Sequence, residues 1–243
     1  MISVEGKWAL ITGAARGIGY LSALFMAEQG CNLVLHSRSK EHTKNVLSEV
    51  RSLGVEAYDE EAELNDPEAV ERMLDRIDKN GTQIDIVLNN AGLQPGYRSD
   101  YFKTPISDFT TSFMVNTIAP ALICYRFLPG MIERGFGRII NTTSGIRNEP
   151  QQAGYSAAKA ALDKFTTDLA TVVSGTDVII SLTDPGWCRT DLGGRHAPNT
   201  PESAIPGVCV GVFVNDGKNG RLFNAQQFAG MTLEEAVKAA EKL

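Results

Sequence analysis

Short apolar runs alternate with longer amphipathic stretches along this chain. Trp8-Ala9-Leu10-Ile11-Thr12 predicts a buried strand, and residues 17–29 a helix closed by Gly30. A second strand is expected at 32–36. The helix predicted at 41–53 places Val46, Leu47, Val50 and Leu53 on one face, with Gly54 as its stop. Residues 55–62 make a weaker third strand. Asp66-Pro67 opens the next helix, because Asp accepts from free amides and Pro suits a first turn. Ile84 to Asn89 reads as a strand buried on both faces. A long helix is expected at about 107–133, a strand at 137–143, a helix at about 155–173, a strand at about 177–183 and a short terminal helix at about 232–242. Apolar strands alternating with helices predict an α/β fold, a three-layer α/β/α doubly wound parallel sheet that is Rossmann-like. One domain, 1–243, accounts for the whole pattern. The stretch 184–206 is rich in Gly and Pro and has no period, as lids and binding loops do. A substrate lid is expected at about 187–200, where Gly193-Gly194 gives freedom and Pro198 and Pro201 prevent one continuous helix.

Apolar residues make up 43% of the chain and charged residues 21%, which excludes a disordered polymer. Twenty-three basic against 29 acidic side chains leave a net charge of −6, so there is no general pull on nucleic acid or anionic membrane. No apolar run approaches the ~20 residues of a membrane helix. The start, Met1 to Lys7, lacks the basic segment and long apolar stretch of a secretory leader, and a cytoplasmic location is expected. Cys31, Cys124, Cys188 and Cys209 are far apart, and His36, His42 and His196 are scattered. Neither a disulfide framework nor a metal site is expected, and each His reads as an ordinary side chain.

The first strand runs into Thr12-Gly13-Ala14-Ala15-Arg16-Gly17-Ile18-Gly19. Glycines at a strand-to-helix junction let backbone amides approach a phosphate, and the helix start offers unpaired N–H groups and partial positive charge. The spacing is Gly-x-x-x-Gly-x-Gly. A purely structural turn is the competing reading. Ser37-Arg38 ends the second strand, where an acidic residue would bind the adenosine ribose of NAD. No acid occurs between Gly30 and Glu41. Arg38 and Arg16 instead suit a 2′-phosphate, so NADP(H) is expected in preference to NAD(H), unless both are merely surface arginines.

Tyr155 and Lys159 stand four residues apart on one helix face. Such a pair is common by chance. Here Ser144 lies just past a buried parallel strand, at the sheet edge where cofactors bind, so Ser144, Tyr155 and Lys159 can converge. For Tyr to exchange protons at pH 7 to 8 its pKa must fall from about 10, which takes about 3–4 kcal/mol. One cation about 4 Å away supplies about 4 kcal/mol at an effective dielectric of 20. Lys159 is sufficient on that scale.

With these residues together, the chain resembles the short-chain dehydrogenase/reductase family. The matching positions are Thr12 to Gly19, Asn89-Asn90-Ala91-Gly92, Asn116, Ser144, Tyr155 with Lys159, and Pro185-Gly186 followed by Thr190. The resemblance implies that Tyr155 is the proton donor and acceptor. It implies that Lys159 binds the nicotinamide ribose and lowers the Tyr155 pKa, that Ser144 orients the carbonyl, and that Asn116 holds a relay water. Asn90 and Gly92 should lie along the adenosine ribose, Leu64 and Glu63 against adenine, and Thr190 with the Cys188 backbone at the carboxamide. Glu63 replaces the family's usual Asp or Asn, and the 11-residue interval from Ser144 to Tyr155 is short. Trp187 to Gly194 is similar to carbonyl-reductase-like members. Trp187, Leu192, Leu93 and Phe213 are candidates for an apolar pocket, and Arg147, Gln151 and Gln152 for polar contacts.

The implied reaction interconverts a ketone or aldehyde and an alcohol, with a small-molecule substrate. The implied assembly is a homodimer or homotetramer paired through the helices near 107–133 and 155–173, which carry Ile118, Ala121, Leu122, Ala160, Ala161, Leu162 and Phe165. A non-catalytic NADP(H)-binding regulator on the same fold is the alternative. A sugar-nucleotide epimerase or dehydratase fits less well, since only about 50 residues follow Thr190.

Overall fold

The computed structural model describes residues 1–243. Seven parallel strands lie in the order β3-β2-β1-β4-β5-β6-β7. They are β1 Trp8–Thr12, β2 Asn32–Ser37, β3 Ala57–Glu61, β4 Ile84–Asn89, β5 Gly137–Thr142, β6 Val178–Asp184 and β7 Leu222–Asn224. The helices are α1 Gly17–Glu28, α2 Lys44–Ser52, α3 Pro67–Lys79, α4 Ile106–Phe113, α5 Ala119–Arg134, α6 Ala153–Val172, α7 Val210–Phe213 and α8 Leu233–Ala240. One face of the sheet packs on α1, α2, α7 and α8, the other on α3, α5 and α6. Burial from both sides is why the central strands read as continuous apolar runs.

Three features differ from the pattern. The helix expected at 41–53 begins as a tighter turn over Lys40–Thr43, and Leu53 stays exposed beyond its end. β7 and α7 are too short, at 3 and 4 residues, to carry a readable period. The long helix is interrupted between α4 and α5 by a π turn, Met114–Ile118, and tolerates Pro120 in the first turn of α5 and Pro129 inside it. Taken together, Ile106–Arg134 is long and apolar enough by length and composition to cross a membrane, which no single run announced. Half of its most apolar stretch is buried within the fold.

β1 and β4 are neighbours although β2 and β3 separate them in sequence. The chain reverses direction across the sheet at that point, and the carboxyl ends of the two strands open a crevice there. At the opposite, amino end of the sheet stands Arg138, buried at 1% exposure on β5. Its guanidinium donates to the carbonyls of Gly137, Asp177 and Val214 and to Asn215 Oδ1, tying the lower ends of β5 and β6 to the segment after α7. Burial lowers its pKa to about 10, so it stays charged.

His36 braces the crevice from the β2 side. Its Nδ1 accepts from the Gly13 amide at 3.4 Å while Nε2 faces the Ala62 carbonyl at 3.1 Å. The first contact requires a bare Nδ1 and the second a protonated Nε2, so the neutral ring is the one that fits. Burial lowers its pKa from 6.5 to about 4. Between those values the unfolded chain binds a proton that the folded chain refuses, so stability falls as pH drops from 6.5 and levels off below 4. His36 contributes about 3 kcal/mol to that loss. Urea denaturation across this pH window is expected to show a pH dependence shallower by about that amount in His36→Gln; equal slopes in both proteins refute the assignment.

Candidate active site

The turn between β1 and α1 is shaped by contacts that only glycine allows. Gly13 and Gly17 have φ of +67° and +57°. A Cβ on Gly19 would lie 2.2 Å from the Gly13 carbonyl oxygen, so α1 meets the turn backbone to backbone. Asn90 Nδ2 donates to the Thr12 carbonyl at 2.9 Å, and the Ala91 amide donates to Thr12 Oγ1 at 3.0 Å, which locks the turn to the end of β4. Ile18 packs into the core behind it. Arg16, the residue before α1, supplies no side-chain cap, and the first turn of α1 holds no acid. This helix start therefore suits an anion such as a pyrophosphate.

The adenosine end is marked by charge. The buried Ser37 hydroxyl donates to the Ser39 carbonyl and shapes the turn that holds Arg38 outward in solvent. Arg16 is paired with Asp191 at 2.8 Å, both about 70% exposed, so the pair is accessible to a competing phosphate. Leu64 is buried with Val34 and Val70 behind this wall. Glu63 is exposed, and its carboxylate accepts from the Asn65 amide.

Tyr155 and Lys159 leave the first two turns of α6, which approaches α4 closely because Gly154 has no side chain. A Cβ there would stand 2.7 Å from the Asp108 carbonyl oxygen. Lys159 is buried, and Nζ donates to the Thr142 carbonyl at the end of β5, 2.6 Å away. Gly92 brings the set together. A Cβ on it would lie 3.3 Å from Asn116 Oδ1, 3.7 Å from Leu192 and 3.8 Å from Lys159 Nζ. Asn116 belongs to the π turn, a distortion that often marks functional sites. Its carboxamide exchanges two hydrogen bonds with the Leu93 backbone and donates to the Ser112 carbonyl.

The electrostatics depart from the sequence expectation. Tyr155 was expected to be pulled below 10 by Lys159. Burial raises it above 10 instead, the Ser144 hydroxyl opposes this, and the Asp184 carboxylate adds to it. The lysine ammonium is 5.9 Å from the phenol ring centre and faces the Thr142 carbonyl, so its charge does not offset the desolvation of a phenolate. Lys159 itself falls to about 8, mainly through burial, with Asp163 and Asp184 holding it up.

The segment after β6 crosses the crevice. Gln226 Nε2 donates to the Pro185 carbonyl and fixes Pro185-Gly186, where Gly186 has φ +74°. Thr190 packs on Gly17, and the Thr190 amide donates to the carbonyl of the buried Cys188. Trp187 Nε1 donates to the Gly193 carbonyl at 2.7 Å, and the Asn199 amide donates to the Trp187 carbonyl, so residues 187–199 form one hydrogen-bonded loop.

Phe213 is not part of this crevice. It lies on α7, 2% exposed, against Phe25 on the opposite face of the sheet. Gln152 donates to the Pro95 carbonyl, the Arg98 amide donates to the Gln151 carbonyl, and Arg147 stays exposed. His36, Asp163, Asp184 and Gln226 belong to no motif of the sequence, and only chain folding brings them here. A surface groove lined by Trp8, Arg51, Tyr58 and Thr82 lies at the amino ends of the strands, away from this crevice.

A model of the short chain dehydrogenase family matches residues 7–200. Versicolorin reductase stcU of Emericella nidulans is 34% identical over 197 residues, covering 78% of this chain and 72% of that protein. The 3-oxoacyl-acyl-carrier-protein reductase FabG of Aquifex aeolicus is 32% identical over 195 residues, covering 79% of this chain and 77% of that one. A metagenomic short-chain oxidoreductase solved in complex with NADP superposes with a TM-score of 0.70 at 30% identity, over 77% of this chain and 84% of that chain. Sheet order, glycine turn and family match agree: the chain belongs to the short-chain dehydrogenase/reductase family of NAD(P)-dependent oxidoreductases.

Proposed function

We propose that this chain is an NADP(H)-dependent oxidoreductase that interconverts a ketone or aldehyde and an alcohol, with Tyr155 as acid and base. The observation that carries this reading is the buried Tyr155 phenol, influenced by Ser144 and one helical turn from a buried Lys159, beside the glycine-turn crevice. The glycine turn, the open start of α1, and Gly92 beside Lys159 fit a dinucleotide lying along the strand ends. Bound there, a reduced nicotinamide supplies the hydride.

Tyr155 Oη donates its proton to the carbonyl oxygen as negative charge develops on it. A phenol held above 10 is protonated throughout neutral pH, which suits it to donate and so favours reduction. Ser144 donates a hydrogen bond to the same oxygen and fixes its approach. Lys159 remains largely cationic at pH 7 and stabilises the phenolate left behind. Asn116 braces the loop that faces Lys159 and carries the relay water to it. A non-catalytic NADP(H) regulator has no use for this proton-transfer set. The names of the relatives, two of them reductases, favour the same direction.

Preference for NADP(H) over NAD(H) is read from Arg38, which faces solvent without an ion-pair partner, and from β2 ending in Ser37 rather than an acid. The loop 187–200 acts as the lid, with Trp187 and Leu192 over the substrate, and hydrogen exchange across it should slow when NADPH and substrate bind. A homodimer or homotetramer is inferred from Ile118, Tyr125 and Val172, left exposed on α5, α6 and the turn before α5. Light scattering at the mass of a single chain overturns that assembly. The cytoplasm is the proposed location.

Tyr155→Phe is expected to lower kcat by about 10²–10⁴-fold while leaving NADPH affinity within a few-fold. Retention of more than a tenth of wild-type turnover on a good carbonyl substrate removes Tyr155 from the proton step. Arg38→Asp is expected to erase or reverse the preference for NADPH over NADH in calorimetric titrations; a wild type that binds both equally sinks the cofactor assignment.

A further inference from the structure

The end of β6 carries a charge that the proton-transfer scheme above does not use. Thr183 pairs with Thr142 across the β5–β6 ladder, and the next residue, Asp184, comes level with the loop that begins at Thr143. The Thr143 amide donates to the Thr183 carbonyl at 2.8 Å and keeps the two strand ends together. Asp184 Oδ1 accepts from the Gly186 amide at 2.9 Å. The other oxygen, Oδ2, takes no hydrogen bond and meets no cation. It lies 2.8 Å from where a Cβ on Gly145 would stand. Gly145 directly follows Ser144, so a side chain at that position and the carboxylate exclude one another. A lone carboxylate oxygen, half-buried and held from one side, thus occupies the space beside the residue that follows the serine.

Resting on the oxidoreductase reading, we propose that Asp184 is a positioning residue of this site: its charge, fixed at the end of β6 against the residue after Ser144, sets the pH at which Tyr155 and Lys159 exchange protons. The surrounding groups leave it that influence. From α6 come Tyr155, Lys159 and Asp163. From the loop after β5 comes Arg147, which faces Asp163, and after β6 come Cys188 and Arg189. Lys159 is the cation between the two acids, and its hydrogen bond goes to the Thr142 carbonyl. Neither acid is neutralised by an ion pair. The Thr143 hydroxyl opposes the effect of burial on Asp163. A negative charge opposes ionisation of a phenol and favours protonation of an amine, so Asp184 moves both groups of the pair in one direction, towards higher pH. The effect keeps Tyr155 a proton donor and Lys159 cationic in the same range of pH.

The competing role is purely local. Asp184 caps the turn into Pro185-Gly186, and its charge is then immaterial. Asp184→Asn separates the two, because the amide oxygen still accepts from Gly186 while the charge is gone. The first measurement is the tyrosinate absorbance of Tyr155 in the free protein, taken as the difference between each protein and its Tyr155→Phe counterpart. Asp184→Asn is expected to bring this titration down by about one to two pH units, the size of one charge acting over roughly 6–12 Å at a dielectric near 20. The second is the pH profile of kcat/KM for carbonyl reduction, whose alkaline limb, where Tyr155 and Lys159 lose their protons, is expected to move down. Asp184→Glu, which restores the charge, is expected to recover most of the movement. A change in melting temperature or kcat with no movement along the pH axis overturns the proposal and leaves Asp184 a turn residue. Should the amide fail to fold, Asp184→Ser keeps an acceptor for Gly186 and answers the same question. Failure of the wild type to reduce any carbonyl compound overturns the oxidoreductase reading instead, while the tyrosinate titration still decides the effect of Asp184.

Discussion

The distance at which α1 meets the ends of β1 and β4 governs the rest of this molecule. Gly19 lies against the Gly13 carbonyl where any side chain would collide, and Asn90 bonds back to Thr12 across the same gap. Because the helix approaches so closely, its open amides point at the crevice where the sheet changes direction rather than at solvent. His36 holds the turn from the β2 side as a neutral ring. The site for an anion is therefore built from backbone, and backbone cannot be repositioned by a side-chain rotamer.

The second dependence is electrostatic. Tyr155 and Lys159 are both buried, and burial pushes each away from its charged form. Left alone, that would give a neutral tyrosine and a neutral lysine. The Thr142 carbonyl and the carboxylates of Asp163 and Asp184 favour the lysine cation, while Ser144 favours the phenolate. A fixed, water-poor arrangement of this kind is what proton transfer to a carbonyl requires, because the dipoles are already oriented when charge develops.

The loop after β6 joins the two halves of the crevice. Thr190 touches Gly17, Asp191 pairs with Arg16, and Leu192 reaches Gly92. An exposed ion pair such as Arg16–Asp191 contributes little to stability. Its consequence is positional: it tethers the loop after β6 to the residue that precedes α1.

Periodicity and glycine placement determined the order of most strands and helices along the chain and the crevice-forming turn, while Ser144, Tyr155 and Lys159 were legible as a set only through the resemblance to a family. Those signals are local: a buried strand must be apolar on both faces, and a turn packed backbone to backbone must be glycine. The β7 strand and α7 escaped because three or four residues hold no period. Phe213 looked like a pocket residue and lies in the opposite core, since sequence distance from Trp187 says nothing about which face of the sheet the chain has crossed to. Only the tertiary structure decided the charges. Whether Tyr155 is raised or lowered depends on its burial, on the 5.9 Å to Lys159 and on Asp184 from another strand. Coulomb and desolvation energies follow distances through space, and Asp184 is separated from Tyr155 and Lys159 in the chain by the rest of α6 and by β6.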